Sequence, residues 1–181
     1  MSTVSFASPF EVLMPRPLTL KPKGRKPLEL GAKVRVDAVR LNQAGDEPGL
    51  AALINGAGLR DWDKDGLREH DTAAKNMWRG ACAPDLKLEF ELPDAVPLSA
   101  LEVWNFNVDW QTADGVRKAD VAVSADGTTW QTVLHGADLA EAEGRADYDD
   151  PIVLKFNPVT ARKVRIENVQ SSGAGGKVGL S

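Results

Sequence analysis

The chain has 181 residues, of which 43% are hydrophobic, and a formal net charge of -4 at pH 7; this is enough apolar material for one buried core. Residues 1–40 carry 8 Lys and Arg against 3 Asp and Glu, so the remaining 14 Lys and Arg against 23 Asp and Glu leave a body of charge -9, which disfavours binding to the phosphates of nucleic acid. The single cysteine, Cys82, excludes an internal disulfide and a zinc site of several thiolates, and it is predicted to be a small buried residue.

Residues 1–32 form a basic, proline-rich segment. Each proline lacks a backbone N–H and holds φ fixed, which suits an extended linker or an edge strand. We interpret residues 1–32 as a leader or edge strap and residues 33–181 as the folded domain. The segment lacks the charged start and apolar middle of an export signal, and no run in the chain reaches the roughly 18 apolar residues of a membrane helix.

The first predicted elements of the domain are a strand, a short helix and a long loop. Residues 33–38 alternate between charged and apolar side chains, which predicts a half-buried strand. Residues 47–54 resemble one or two helical turns that end at Asn55 and Gly56. Residues 57–85 show no sustained period and are predicted to be one long ordered loop, a kind of segment that usually carries function.

The second half of the chain is predicted to be mostly strands. Residues 86–92 alternate between apolar and charged side chains, and Pro93 is expected to end this strand. Asp126 and Gly127 mark a tight hairpin turn, and residues 137–143 are interpreted as a short helix. Further strands are predicted at residues 100–106, 116–124, 130–134, 152–156 and 161–168. Many short strands with little helix predict an all-β, two-sheet antiparallel sandwich.

One predicted loop is rich in aromatic and amide side chains. The sequences LEVWNFN at residues 101–107 and SADGTTW at residues 124–130 predict antiparallel strands on either side of it. Asn105 and Asn107 can donate and accept hydrogen bonds at once, as a hydroxylated ligand requires, and Trp110 offers a flat apolar face. Loops of this composition bind sugars more often than they catalyse reactions, so binding is the leading hypothesis.

Several stretches, taken in order, resemble one known family. They are ALINGAGL at residues 52–59, NMW at 76–78, VWNFN at 103–107, VAVSADGTTW at 121–130, ARKVRI at 161–166 and GLS at 179–181. Over residues 40–181 the chain resembles the discoidin-like domains, which include the C domains of coagulation factors five and eight and many bacterial carbohydrate-binding modules. The resemblance implies a galactose-binding-like jelly-roll β-sandwich and an extracellular or cell-surface location.

The chain departs from the family pattern in two places. Members continue after Gly-Leu-Ser with Glu-Val and a final strand, whereas Ser181 is the last residue here. We expect either a missing terminal strand or a replacement edge from the leader, where residues 10–14 and 18–20 are apolar enough. Many members also hold a structural calcium ion; here Asn55 stands at the position of the Asp ligand, without the Glu that follows Leu-Ser. Calcium prefers several oxygen ligands with charge, so Asn55 is a candidate metal ligand without its usual carboxylates, and no other cofactor is expected.

The tryptophans divide into core candidates and site candidates. Trp78 stands in the family signature and Trp104 and Trp130 lie in strand patterns, so these three are predicted to be core. Trp62 lies among charged neighbours and Trp110 closes the amide-rich loop. Both are therefore candidate platforms on which a sugar ring could stack.

Polar side chains on the same loops complete the predicted ligand site. His70 has no nucleophile or orienting partner in the sequence that would make it a general base, so it is taken as a hydrogen-bonding contact, with loop packing as the alternative. The same alternative applies to the loop amides. The full predicted ligand-binding set is Trp62, His70, Asn76, Arg79, Asn105, Asn107 and Trp110.

These features favour a non-catalytic carbohydrate-binding module that recognises a glycan or polysaccharide through its rim loops. The alternative is a protein interaction, adhesion or assembly domain of a larger extracellular protein, which would bind other domains or subunits. A glycoside hydrolase that uses the acidic runs at residues 61–65 and 147–150 is a third hypothesis, although solvated turns explain those runs better. Neither nucleic acid nor a membrane span is expected.

Overall fold

The structure is a computed structural model that describes residues 33–42, 49–62, 64 and 67–181. The leader or edge strap predicted for residues 1–32 lies outside the described residues. The described chain is mostly antiparallel strand with little helix, so the predicted all-β jelly-roll sandwich is confirmed. Among the described residues, no helix combines the length and apolar character that crossing a bilayer requires.

The described elements follow one another in a simple order. The strands are β1 Ala38–Leu41, β2 Leu59–Arg60, β3 Glu69–His70, β4 Trp78–Ala81, β5 Lys87–Val103, β6 Val116–Ser124, β7 Gln131–Asp138, β8 Ile152–Ser171 and β9 Lys177–Leu180. The helix α1 spans Ala52–Asn55, and two short 3-10 helices span Ala74–Asn76 and Thr112–Asp114. The largest sheet has the strand order β1, β5, β8, β6, β7, and the small sheets pair β2 with β3 and β4 with β9.

Two long strands bend within the largest sheet. β5 and β8 pair along most of their length, with register shifts between Glu91 and Val96 and between Leu98 and Ala100. Pro93 lies in the first irregular stretch, so the prediction that it ends the strand is wrong. An irregular stretch does not require the ladder N–H that proline lacks, which is why the chain continues through it as one strand.

The core lies between the layers and is made by the apolar residues of the alternating patterns. Trp78 is fully buried there with Leu88, Val121 and Val178, as predicted for Trp78. Trp104 is also buried, in a separate small cluster in which Tyr148 meets its ring edge-on at 5.5 Å.

Two residues predicted to be buried are only partly so. Trp130 is half-buried, with the Arg165 guanidinium 3.6 Å above its ring, because it follows the hairpin turn and only part of its surface is covered. Its prediction as core is therefore wrong. Cys82 is also half-buried, packed on the edge of the core with its Sγ 3.6 Å from the Val169 carbonyl.

Other local predictions were also corrected. The helix predicted at residues 137–143 is wrong, because β7 runs to Asp138 and the Leu139 N–H still bonds the Arg117 carbonyl across the sheet at 2.9 Å. The strand predicted from residue 33 begins only at Ala38. The loop predicted at residues 57–85 contains β2, β3 and β4, which are too short to give a recognisable period.

Candidate functional site

Three chain segments meet beyond the ends of the strands. They are the described residues between 56 and 77 and residues 104–115 and 139–151, and we call them together the loop end. A backbone hydrogen bond joins the first and third segments, because the His70 N–H donates to the Tyr148 carbonyl at 2.7 Å. The second segment is tied to the residue after β9, because the Ser181 N–H donates to the Trp104 carbonyl at 3.0 Å. Every residue of the predicted ligand-binding set lies in these segments or in the adjoining strand β4.

Asn107 joins all three segments through a single buried side chain. Its Nδ2 donates to the carbonyls of His70 and Asp71, both at 3.1 Å, and to that of Arg145 at 2.7 Å, while its Oδ1 accepts the Gly144 N–H at 2.8 Å. The residue is fully buried. Its hydrogen-bonding capacity is therefore used to hold the loops, which explains why an amide is needed here.

Asn105 does the same for the neighbouring backbone. Its Nδ2 donates to the carbonyls of Val116 at 2.8 Å and Ala140 at 2.7 Å, and its Oδ1 accepts the N–H groups of Phe106 and Val116, both at 2.9 Å. The side chain is fully buried. Ligand contact and support of the loop backbone are the two roles predicted for these amides; in the structure Asn105 and Asn107 belong to the internal framework of the loop end.

His70 is also buried rather than presented to solvent. Its Nδ1 lies 2.8 Å from the Asp71 carbonyl, which fixes the proton on Nδ1, and Nε2 has no hydrogen-bond partner among the described residues. Its ring packs 6.1 Å from that of Trp104. Burial lowers the pKa of His70, with the Asp71 carbonyl and carboxylate acting in the opposite direction. The loop-packing alternative therefore describes His70 in this structure.

The two candidate stacking platforms, in contrast, are exposed. Trp62 is 57% exposed and Trp110 is 82% exposed. The Trp62 backbone N–H donates to the Glu69 carboxylate at 2.9 Å, and the Arg60 guanidinium lies 5.1 Å from the indole. The structure thus leaves apolar ring surface in contact with water on two loops of the same end.

Trp110 also has an unusual backbone. Its φ is 52°, a left-handed conformation that a bulky side chain rarely adopts. The Asp109 carboxylate supports this conformation by accepting the Trp110 N–H at 2.9 Å. Strain of this kind persists only where surrounding contacts impose it, and it concentrates at functional sites.

Two further polar candidates lie within reach of solvent. Asn76 is half-buried and its Nδ2 donates to the Asp71 carboxylate at 2.7 Å. The Arg79 side chain is 40% exposed and donates through Nε at 2.8 Å and Nη2 at 2.5 Å to the Asp114 carboxylate. Both keep unused N–H donors, so they remain able to bond a sugar hydroxyl.

Sequence reasoning missed two carboxylates that orient these donors. Asp71 accepts hydrogen bonds from the Ala73 N–H and from Asn76, and Asp114 holds Arg79 from 35 positions away. The neighbouring His70 could have drawn attention to Asp71. Nothing in the sequence pairs Asp114 with Arg79, because that contact depends on β4 lying beside the second 3-10 helix.

The candidate metal ligand Asn55 has its side-chain oxygen in local use. Its Oδ1 accepts the Ala57 N–H at 2.7 Å. Between them lies Gly56, which caps the end of α1 in a left-handed conformation. Within the described parts of the chain, no group of three or more His, Cys, Asp or Glu side chains could hold a metal ion. Calcium binding at Asn55 therefore stays a prediction from the family resemblance.

Comparison with known proteins places this arrangement in a defined family. A model of the F5/8 type C domain matches residues 62–180 of the chain. A search of curated proteins gave no match.

Three solved structures to which this chain is similar are carbohydrate-binding modules. A pectin-binding module aligns with a TM-score of 0.53 at 15% identity, over 82% of this chain and 88% of that one. A family 32 module from Streptococcus pneumoniae EndoD gives 0.53 at 12% identity, over 81% and 90%. The family 32 module of AlyQ, solved in complex with 4,5-unsaturated mannuronic acid, gives 0.52 at 14% identity, over 83% and 94%. At these identities the likeness shows a common fold, and the ligands belong to those proteins.

Proposed function

Because this chain belongs to the F5/8 type C domain family, we propose that it is a non-catalytic carbohydrate-binding module whose loop end stacks a glycan on Trp62 and Trp110. The observation that carries the proposal is the exposure of these two indoles, 57% and 82%, on loops that Asn107 ties to one framework. Exposing a large aromatic ring to water costs free energy. Covering the ring with the apolar C–H face of a sugar recovers part of that free energy.

The polar part of the proposed site consists of Arg79 and Asn76. Each is oriented by a carboxylate and keeps donors that a sugar hydroxyl can accept. His70, Asn105 and Asn107 are assigned to supporting the loops. Each sugar hydroxyl exchanges a bond with water for one with the protein, so the affinity is expected to be on the order of millimolar to micromolar.

Two observations support a binding role rather than catalysis. The three similar solved structures described above are binding modules by name. The only described imidazole at the loop end, His70, is buried, and burial lowers its pKa. A glycan-binding role also favours the extracellular or cell-surface location that the sequence predicts.

A glycan array followed by titration calorimetry tests the proposal. The array includes pectin and alginate oligosaccharides and N-acetylgalactosamine, and calorimetry uses the strongest ligand. Trp62→Ala and Trp110→Ala are each expected to weaken binding about tenfold or more, since loss of one stacking contact removes on the order of 1.4 kcal/mol.

Trp130→Ala is the matched control. Trp130 follows the hairpin at the far end of β6 from the loop end and lies beneath Arg165, so this variant is expected to keep full affinity. Absence of binding to any glycan, or binding untouched by the Trp62 and Trp110 changes together, would refute the proposal and favour the protein-interaction alternative.

A further inference from the structure

A groove of about 310 Å³ opens between residues 33–36 and the second half of β5. Its walls are mainly apolar and include Phe90, Leu92, Leu98, Leu101, Val164 and Ile166. At the density of liquid water this volume would hold about ten water molecules. Apolar walls give water few hydrogen-bond partners, so filling the groove with apolar side chains is favourable.

The same region contains an open strand edge. β1 pairs with residues 88–91 of β5, whereas β8 continues beside β5 as far as Val103. Among the strands of the described residues, none pairs with the other edge of β5 from residue 96 to residue 103. An unpaired edge over an apolar groove is a liability that proteins ordinarily cover.

The chain just before β1 already runs along this groove. Val34 and Val36 line it, and Val34 is still 37% exposed. The Lys33 ammonium bonds the Glu102 carboxylate at 2.8 Å across the groove rim. Residue 33 is therefore held beside the uncovered stretch of β5.

The sequence before residue 33 continues the same alternation. Leu28, Leu30 and Ala32 share the parity of Val34 and Val36, so in extended chain their side chains would lie on the same face. The intervening positions carry Glu29, Gly31, Lys33 and Arg35. A strand with this pattern suits a groove on one side and water on the other.

The direction of the chain before β1 and the distance that it can span both agree with this pattern. β1 is antiparallel to β5, with Leu41 opposite Leu88 and Ala38 opposite Glu91. Residues before β1 therefore progress toward higher numbers in β5. Leu30 is three residues from Lys33 and so within about 10 Å of it, and Leu28 within about 17 Å.

From these observations we propose that residues 28–32 extend along the open edge of β5 and fill the groove with the side chains of Leu28 and Leu30. The occupant of the groove is thus this chain's own leader. The proposal is independent of whether the loop end binds a glycan.

Hydrogen exchange of the full chain, followed by mass spectrometry, tests the proposal. In the double variant Leu28→Asp with Leu30→Asp, amides of residues 98–103 are expected to exchange at least about tenfold faster, because two carboxylates cannot enter the groove. Amides of β6 serve as the internal measure of folding and are expected to keep their rates. If the aspartates unfold the chain, the pair Leu28→Ala with Leu30→Ala replaces them.

Leu18→Asp with Leu20→Asp is the matched control, with the same chemical change elsewhere in the leader. It is expected to leave exchange at residues 98–103 unchanged. Equal acceleration by this control would assign the groove to residues 10–20 instead. Unchanged exchange at residues 98–103 in both double variants would also overturn the proposal. So would protection of these amides that disappears when the protein is diluted, because that would indicate that a second copy of the chain covers the groove.

Discussion

At the scale of single residues, the loop end separates polar side chains that hold the loops from rings that face water. Asn105 and Asn107 bond backbone groups up to 38 positions away. Both side chains are fully buried and use Nδ2 and Oδ1 in these bonds, so the two residues act as connections between loops rather than as surface groups. The exposed surface is left to Trp62 and Trp110.

Asn105→Ala is expected to destabilise the protein by about 3 kcal/mol. Removing the amide leaves the buried N–H groups of Phe106 and Val116 without this partner, at about 1–3 kcal/mol for each unsatisfied group. Urea denaturation measures the loss. Asn42→Ala, which removes two bonds to exposed backbone at Asp85 and Lys87, is the control and is expected to cost less than about 1 kcal/mol. Equal losses in the two variants would contradict this role.

Trp110→Gly is expected to separate binding from stability. Glycine adopts a φ of 52° without the steric cost of a side chain, and the indole is 82% exposed, so little packing is lost. The thermal midpoint should stay the same or rise slightly, while glycan affinity falls about tenfold or more. A marked drop in the midpoint would show that the indole supports the fold instead.

At the scale of elements, the loop end is positioned by close packing of β9 against β4. A Cβ added at Gly179 would lie 2.4 Å from Phe106 Cδ2 and 2.8 Å from the Trp78 carbonyl oxygen. Only glycine allows β9 to approach the ring that lies between Asn105 and Asn107. The position of the amide-rich loop therefore depends on the absence of a side chain on a distant strand.

Gly179→Ala is expected to destabilise the protein by about 1–3 kcal/mol, because Phe106 and the Trp78 backbone cannot both move away. In a chain of this length such a loss lowers the thermal midpoint by roughly 2–12 °C. Differential scanning calorimetry measures the shift. Gly175→Ala is the control, since a Cβ there would meet nothing within 4 Å; a similar loss in both variants would contradict the packing argument.

At the scale of the whole molecule, the buried imidazole of His70 couples the stability of the fold to pH. Burial lowers its pKa in the folded state below the ordinary value of about 6.5, so the unfolded chain binds more protons in this range. The contribution of His70 is complete above about pH 6.5 and is lost as the pH falls toward its folded pKa. The pKa values of Asp120 and Asp126 are also lowered in the folded state. The stability that these two carboxylates contribute is lost at a more acidic pH, as the pH falls below the ordinary pKa of a carboxyl group toward their folded values.

The thermal midpoint is therefore expected to decrease as the pH is lowered from 7.5 to 5. The substitution His70→Asn should make this decrease smaller. His135→Asn is the control, because the His135 side chain is 79% exposed beside Asp120. The slope in this window, rather than the absolute midpoint, is the quantity to compare. A His70 variant that keeps the slope of the unaltered protein would show that another group titrates.

By itself the sequence determined the strand-rich fold and the two exposed platforms. Alternation of apolar and charged residues at 86–92 and 163–167 is a local property of strands, and the charged neighbours of Trp62 keep its ring near water. The glycine after Asn55 likewise ended the helix where expected, because its left-handed conformation is a local requirement.

The tertiary structure alone decided which polar side chains are buried among the loops and which face water. Asn107 is buried because segments 37 and 38 positions away supply a carbonyl and an N–H for its amide, and Trp130 is half-buried with the distant Arg165 guanidinium over its ring. Pro93 stays within a strand because the register of β5 against β8 shifts around it. Burial and hydrogen bonding of a side chain depend on distant neighbours, which a local pattern does not specify.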